Sequence, residues 1–350
     1  TVIHNGEKHT FSNFGSGTLR GIPTYYGKNT VMYPYGFMNE LATLSREPSV
    51  IYHPLAMVAT PYDVAWNQTL EEANEHGSVG VGYGATVTRN MDGVGLSVKD
   101  LFNDWVTVTK LQGIRDYYRD KATRAGNYEN YLAVLRENVQ PENVIPSFKD
   151  VVSFIDVARL EDLIVTHDNL IFEGNQGICL DKFEGFYPHL TWADCTSRSA
   201  LDWLSNKEAD IEIFYVTRAY QNRHGNGPMS SDRIVDLINT KEEINVPNKW
   251  QGTMRTRRLD LDLLKWALTT DHAYFPENLE VKRSFVMTCV DQLKDFSLKY
   301  RGKGHTFDTL DSFLSFTKGS FSGLKDFYVS RGPTASDITL LKEPALTSKV

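Results

Sequence analysis

The residues best suited to chemistry lie in a few short stretches. In "FEGNQGICLD" (172–181) two glycines, Gly174 and Gly177, bracket the carboxamide of Gln176 directly after the β-like run "DNLIF". A neutral carboxamide donor stabilises negative charge developing on an oxygen without a competing proton equilibrium. Flanking glycines let the main chain approach a flat ligand where a side chain would collide. In "GTMRTRRLDLD", Arg255, Arg257 and Arg258 crowd ahead of a periodic run that begins at Leu259. Three guanidiniums at a helix start oppose the helix dipole, which suits either a bound anion or a solvated charged turn. "RAYQNRHGNGP" adds Arg218, Arg223 and His224 ahead of a Gly-x-Gly-Pro turn. In "GFYPHLTWADCTSRSA", Thr191, Asp194, Thr196 and Ser197 precede a helix-like run, either as caps or as ligands for a phosphate. "GSVGVGYG" (77–84) is either a glycine-rich surface loop or a cradle whose N–H groups turn toward an anion. It is not a Walker loop, and "GKGHT" (302–306) reads as an ordinary turn.

These residues need a scaffold, and the chain carries one. Short β-branched or aromatic runs recur at 49–53, 169–173, 211–217, 283–290 and 326–330, with helical spacing between them in "SFKDVVSFIDVARLEDLIV" and "LDLLKWALTT". Strands alternating with helices predict an α/β fold with a largely parallel central sheet flanked by helices. The loops after its strands then gather at the carboxyl edge, where open α/β folds bind ligands. The stretch from about 98 to 165 reads as a helical insertion, and no linker divides the chain, so residues 1–350 are expected to form a single embellished domain. At the start, Asn5-Gly6 predicts a hairpin within "TVIHNGEKHTF".

Composition excludes several classes of function. The 350 residues carry 37 Lys and Arg against 44 Asp and Glu, a net charge of -7, so the chain lacks the basic field that a nucleic-acid partner requires. Its three cysteines, Cys179, Cys195 and Cys289, are too scattered for a disulfide framework or a zinc site and read as buried thiols of a reducing compartment. No apolar run reaches the roughly 18 residues of a membrane span, and a cytoplasmic location is expected.

Taken together, "FEGNQGICLD…GFYPHLT" with the following "DCT", "RAYQNRHGNGP", "TMRTRRLD", "TCVD" and "SRGP" resemble the adenylosuccinate synthetase family over nearly the whole chain. The resemblance implies that family's P-loop-like fold and a ligase. Its members phosphorylate the purine 6-oxo group with a nucleoside triphosphate and displace the phosphate with the amine of L-aspartate. IMP and GTP are the default substrates, with Mg2+ as cofactor and a homodimer as the assembly. By the same resemblance a glycine-rich phosphate loop, a catalytic acid and a lysine stand before the position matched by Thr1, so the chain is expected to lack that N-terminal segment and the metal site with it. A catalytically inactive nucleotide-binding fragment is the rival reading.

The residue roles that the resemblance implies are these. Gln176 is the catalytic donor to the purine O6. Ser78, Val79 and Gly80 stand where the family has a Thr-Thr-Gly phosphate contact, Arg89 matches an arginine that crosses a dimer interface to the nucleotide, and Thr196 matches a second phosphate contact. Thr253 and Arg255 fall in the aspartate loop, with Arg255 also serving the substrate nucleotide. Arg257, Asp291, Ser330 and Gly332 serve the triphosphate, with Asp291 reading guanine or, alternatively, capping a helix over "QLKDFSLKY". Cys289 and Met254 replace an expected lysine and glycine. "HPLAMV", "GSVGVG" and "DCT" look more like a phage branch that aminates dGMP, for which ATP or dATP would be the energy donor.

Overall fold

The computed structural model describes residues 1–74, 77–135, 139–164, 167–174, 176–238 and 249–342. It divides into two compact units, Thr1–Glu173 and Gly174–Val350.

The first unit opens with strands β1 (Val2–His4) and β2 (Glu7–His9), paired antiparallel with Val2 opposite His9. Asn5 and Gly6 both take positive φ, 50° and 82°, as the expected two-residue hairpin requires. Strands β3 (Thr24–Tyr26), β5 (Val50–Tyr52) and β7 (Asp156–Val157) form a parallel sheet, and β4 (Val31–Met32) pairs parallel with β6 (Met57–Val58). Helices α1 (Pro34–Leu41), α2 (Pro61–Asn74), α3 (Tyr83–Met91), α4 (Asp104–Arg124), α5 (Tyr128–Leu135) and α6 (Pro141–Val152) supply most of the remaining core. Helix α4 buries Thr107, Leu111, Ile114, Tyr118 and Ala122, one stripe at three- and four-residue spacing. Its start is fixed by Asn103, whose side chain accepts the N–H of Val106. The helical reading of 147–165 holds only in part. Helix α6 stops at Val152, β7 joins β5 through Ile51 opposite Asp156, and a single turn, α7 (Leu160–Leu163), follows.

The second unit contains two four-stranded sheets. Strands β8 (Ile211–Arg218), β11 (Val281–Thr288) and β14 (Phe327–Ser330) run parallel, with β15 (Ile338–Leu340) antiparallel at the end. Helix α8 (Arg198–Leu204) precedes β8. The other sheet joins β9 (Tyr220–His224), β10 (Met254–Asp260), β12 (Phe296–Tyr300) and β13 (Lys303–Phe307). Here β10 is antiparallel to β9 and parallel to β12, and β12 is antiparallel to β13. Helices α9 (Leu261–His272) and α10 (Leu310–Gly319) pack on these strands, over a core that includes Leu259, Phe285, Met287, Leu298 and Phe313. The alternation of parallel strands and helices is the α/β class expected from sequence.

Three local expectations change. The run at 169–173 is not a buried strand: Ile171 is 87% exposed, and Leu170 and Phe172 are exposed with it. An apolar run becomes a strand only where a neighbour accepts its ladder, and the described residues of its unit pair none with it. Arg255, Arg257 and Arg258 lie within β10 rather than at a helix start, because "RAYQNRH" is itself a strand that pairs with them, Arg255 opposite Arg223 and Arg257 opposite Gln221. The helix begins at Asp260, whose buried carboxylate accepts the N–H groups of Asp262 and Leu263. Of "GKGHT", read as an ordinary turn, only Gly302 lies in one, with Arg301 and Gly302 at φ 51° and 70°; residues 303–306 are in strand β13, paired with β12 across that hairpin.

Candidate functional site

In the second unit the parallel strands β8, β11 and β14 end at a common edge. Thr288 lies opposite Arg218, and Met287 opposite Val329, so the segments after β11 and β14 leave side by side. Asp291 sits in a short turn, Val290–Gln292, reached through Cys289 at φ 59°, and its carboxylate accepts the amide of Gln292. Ser330 closes β14 with its hydroxyl on the carbonyl of Gly332. A Cβ on Gly332 would come within 2.6 Å of the Asp337 carboxylate, so this loop is closely packed. The alternative of Asp291 as a helix cap does not hold, since "QLKDFSLKY" runs into β12.

The β9–β10 pair gathers the arginines. Side chains at alternate positions of a strand share a face, which aligns Arg255 and Arg257. Arg255 donates to the carbonyls of Gly225 (2.6 Å) and Gly227 (2.9 Å), while its cross-strand neighbour Arg223 donates to Asn226 O and His189 O. Burial, and then the adjacent Arg255 guanidinium, lower the proton affinity of Arg223. Among the described residues no carboxylate pairs with either arginine. Two like charges opposite each other on a ladder are destabilising, and an anion on this face would relieve them. Arg257 donates to Thr256 O, and Thr253 is exposed just before the strand.

Gln176 stands beside the 193–199 loop. Its carboxamide oxygen faces the Cys195 thiol at 4.0 Å, the long reach of a weak sulfur donor. Burial, followed by the carboxylates of Asp181 and Asp194, pushes the Cys195 thiol up to about 12, so it stays protonated, its single proton shared between Gln176 Oε1 and the nearer Ala193 O at 3.7 Å. With the oxygen so oriented, the Gln176 amide group is left exposed. Neither Gly174 nor Gly177 has a protein atom within 4 Å of where a Cβ would stand. Asn175 lies outside the described residues.

Thr196 is placed beside this group, but its hydroxyl is engaged. Its N–H and Oγ both donate to Asp194 Oδ1 (3.1 and 2.7 Å), while Arg198 and Ser199 donate to Oδ2. Cys195 N–H is held by buried Asp181, and Ser197 N–H and Oγ by buried Asp271. The hydroxyls of this stretch are turned onto Asp194 and Asp271, and Ser197, the N-cap residue of α8, makes no side-chain cap bond to the helix. Burial raises the Asp194 pKa, but hydrogen bonds from Thr196, Ser199 and Arg198 outweigh it and hold the carboxyl down to about 2. A folded pKa below the unfolded value of about 3.9 gives stability that is present above that value and lost as pH falls through 2. Urea midpoints measured between pH 5 and 2 should therefore decline less steeply in Asp194→Asn than in the unmutated protein; parallel profiles would show that the loop carries no such linkage.

In the first unit Ser78 and Gly80 lie on the glycine-rich loop ahead of α3, where Gly77, Gly80 and Gly82 take φ of 88°, 78° and 80°. Arg89 is eleven residues on from Ser78 in sequence but is not on that surface. Its side chain is fully buried, with Nε on Asp63 Oδ1 at 2.8 Å, Nη2 on Asp63 Oδ2 and Val58 O, and Nη1 on Val94 O. A guanidinium with no exposed atom has no reach toward a neighbouring subunit, so in this structure Arg89 is an internal ion-pair partner. The place of Asp63 at the start of α2 is legible as Thr60-x-x-Asp63, with Asp63 accepting the N–H and hydroxyl of Thr60 as in a capping box; its pairing with Arg89 is not. The buried braces Asp181 and Asp271 had no comparable sequence signal.

An α/β scaffold with parallel strands, an exposed carboxamide after a glycine and a paired-arginine ladder defines the general class. The sequence profile of the family described as adenylosuccinate synthetase matches residues 1–312, and the chain belongs to that family. The curated adenylosuccinate synthetase of Histophilus somni (strain 129Pt) is 29% identical over 251 residues, 68% of this chain and 57% of the relative. The chain thus spans little more than half the length of the curated relatives it matches. Among solved structures, the fully ligated adenylosuccinate synthetase of Plasmodium falciparum shares the fold at a TM-score of 0.70 and 14% identity, covering 97% of this chain and 90% of that one. The cyanophage S-2L succinoaminodeoxyadenylate synthetase bound to dGMP and dATP superimposes at a TM-score of 0.55 with 14% identity, over 91% and 76%. No helix among the described residues is long and apolar enough to cross a membrane.

Proposed function

We propose that the protein is a purine nucleotide:L-aspartate ligase. The carrying observation is Gln176, whose oxygen faces a thiol locked in its protonated form and whose amide donors face outward beside two uncrowded glycines. A base lying over Gly174 and Gly177 would present its 6-oxo group to those donors. Loss of the N1 proton to a general base puts negative charge on that oxygen, where the carboxamide holds it; the oxygen takes the γ-phosphoryl group as the nucleoside diphosphate leaves, and the amine of aspartate, giving up a proton, then expels phosphate, a far better leaving group than oxide. Arg255 is the ligand for an aspartate carboxylate, and Arg223 opposite it adds to the positive field. Thr253, just before the strand, serves aspartate with Arg255, Ser78 and Gly80 contact the monophosphate, and Thr196 would do so once its hydroxyl turns from Asp194. Arg257, Asp291, Ser330 and Gly332 serve the triphosphate.

IMP with GTP is the first substrate pair; dGMP with ATP or dATP is the second, favoured by the likeness to the phage structure and by the sequence pieces "GSVGVG" and "DCT". A homodimer accords with the family, though Arg89 does not support it. Among the described residues no three His, Cys, Asp or Glu side chains converge as a metal site requires, and no step here is assigned to Mg2+. Aspartate-dependent phosphate release, assayed with each monophosphate and triphosphate, tests the reading. Its absence with every combination would leave an inactive nucleotide-binding protein.

Triphosphate choice is assigned to Asp291, whose carboxylate can accept two hydrogen bonds from a guanine edge but none from adenine N1. GTP should outperform ATP, and Asp291→Asn should weaken GTP use by about 1–3 kcal/mol, the scale for a mismatched buried polar group, while changing ATP use much less. Equal or better use of ATP by the unmutated protein would sink the guanine assignment and favour the phage-like pair.

A further inference from the structure

The glycine-rich loop at 77–82 presents a physical problem. Three of its residues hold left-handed φ that glycine tolerates at the cost of a large conformational entropy, so the loop needs an external hold to keep one shape. Helix α2 supplies it through consecutive side chains. Asn67 Nδ2 donates to Ser78 Oγ at 3.0 Å, and its Oδ1 accepts the N–H of Gly82 at 3.0 Å. Gln68 Nε2 donates to Gly80 O at 3.0 Å. The far end is pressed onto the helix itself, since a Cβ on Gly82 would stand 2.8 Å from Val64 N. Alternate residues 78, 80 and 82 are therefore tied to one face of α2.

The type of side chain matters as much as its place. A carboxamide is a neutral group that donates at one end and accepts at the other with the same reach. Ser78 Oγ accepts from Asn67 and from the N–H of Gly80 at 3.3 Å, and its own proton points back to Asn67 Oδ1 at 3.4 Å, so the carboxamide fixes the hydroxyl at both ends. The N–H groups of Val79 and Val81 have no hydrogen-bond partner among the described residues, and both residues are half exposed. Two main-chain donors on a braced loop suit a phosphoryl group, and a carboxylate at position 67 would repel it.

We propose that Asn67, seconded by Gln68, is the positioning residue of this loop, holding Ser78, Val79 and Gly80 in the shape that receives the monophosphate of the purine nucleotide. The assignment rests on the ligase reading for its ligand, but not for its mechanical part. Two variants, Asn67→Ala and Asn67→Asp, made in the full-length protein, test it. In Asn67→Ala the Gly82 amide should exchange with solvent about tenfold faster or more, the expected loss of one hydrogen bond, while Leu111 in α4 exchanges as before. The KM for IMP or dGMP should rise by about tenfold with kcat, and the KM values for aspartate and triphosphate, within about twofold. Asn67→Asp can still accept from Gly82, so its Gly82 amide should stay protected; its monophosphate KM should nonetheless rise, and the excess should shrink in added salt. Unchanged Gly82 exchange in Asn67→Ala, or a general loss of kcat with every KM altered alike, would overturn the proposal. Should the unmutated protein turn over neither monophosphate, the ligase reading falls by itself, and Gly82 exchange still decides whether Asn67 holds the loop.

Discussion

Gln176→Ala should lower kcat for aspartate-dependent phosphate release by about 10²- to 10³-fold, the usual loss when one donor to a developing oxyanion is removed. The donor acts on charge that builds on the purine oxygen as N1 loses its proton on the way to phosphoryl transfer and that the bound ground state lacks, so the monophosphate KM should change far less. The surroundings of the side chain sharpen the expectation. Cys195 faces the carboxamide oxygen with a proton it shares with Ala193 O, and its thiol is kept protonated first by burial and then by Asp181 and Asp194. Glutamate at this position would offer no donor at all when ionised, so Gln176→Glu should be as impaired as the alanine variant at neutral pH despite its matching shape. Single-turnover measurement separates the phosphoryl step from product release. Near-normal turnover in Gln176→Ala would remove the residue from the site and make the motif a surface turn.

The largest effect on stability is expected at Arg89. Its guanidinium and the Asp63 carboxylate are both without exposed surface, 2.8 Å apart, and Tyr118 donates a further hydrogen bond to Asp63. The Val58 and Val94 carbonyls take two more of its donors, so Nε and both Nη atoms are engaged within its unit. Removing one member of such a pair strands the other charge in the core, at a cost of about 3–5 kcal/mol. Arg89→Met should therefore shift the urea unfolding midpoint strongly, and the loss should be nearly the same at low and high salt, because a fully buried pair is little screened. Replacing both partners, as Arg89→Met with Asp63→Leu, should recover part of the loss. A single variant that loses under about 1 kcal/mol, the range of exposed pairs, would mean that Arg89 is free to serve another role, including the intersubunit phosphate contact that its sequence position suggested.

By itself the sequence determined the kind of element at many places and the family. The strands at 211–217 and 326–330, the helix over "LDLLKWALTT" and the Asn5-Gly6 hairpin are carried by local periodicity and turn chemistry, which act over a few residues. The long ordered match around "EGNQG" likewise carried the family membership that the profile over 1–312 shows. Tertiary structure decided which polar groups meet. Asp63 and Arg89 are 26 positions apart, and Ser197 and Asp271 are 74 apart, so no local spacing encodes either pairing. It also decided that the arginines of "TMRTRRLD" lie on a strand, since that depends on β9 arriving antiparallel beside them, and that "NLIFE" stays outside any sheet in its unit. Side-chain periodicity is a property of one segment; a hydrogen-bond ladder or a buried ion pair exists only when a second, distant segment is brought to it.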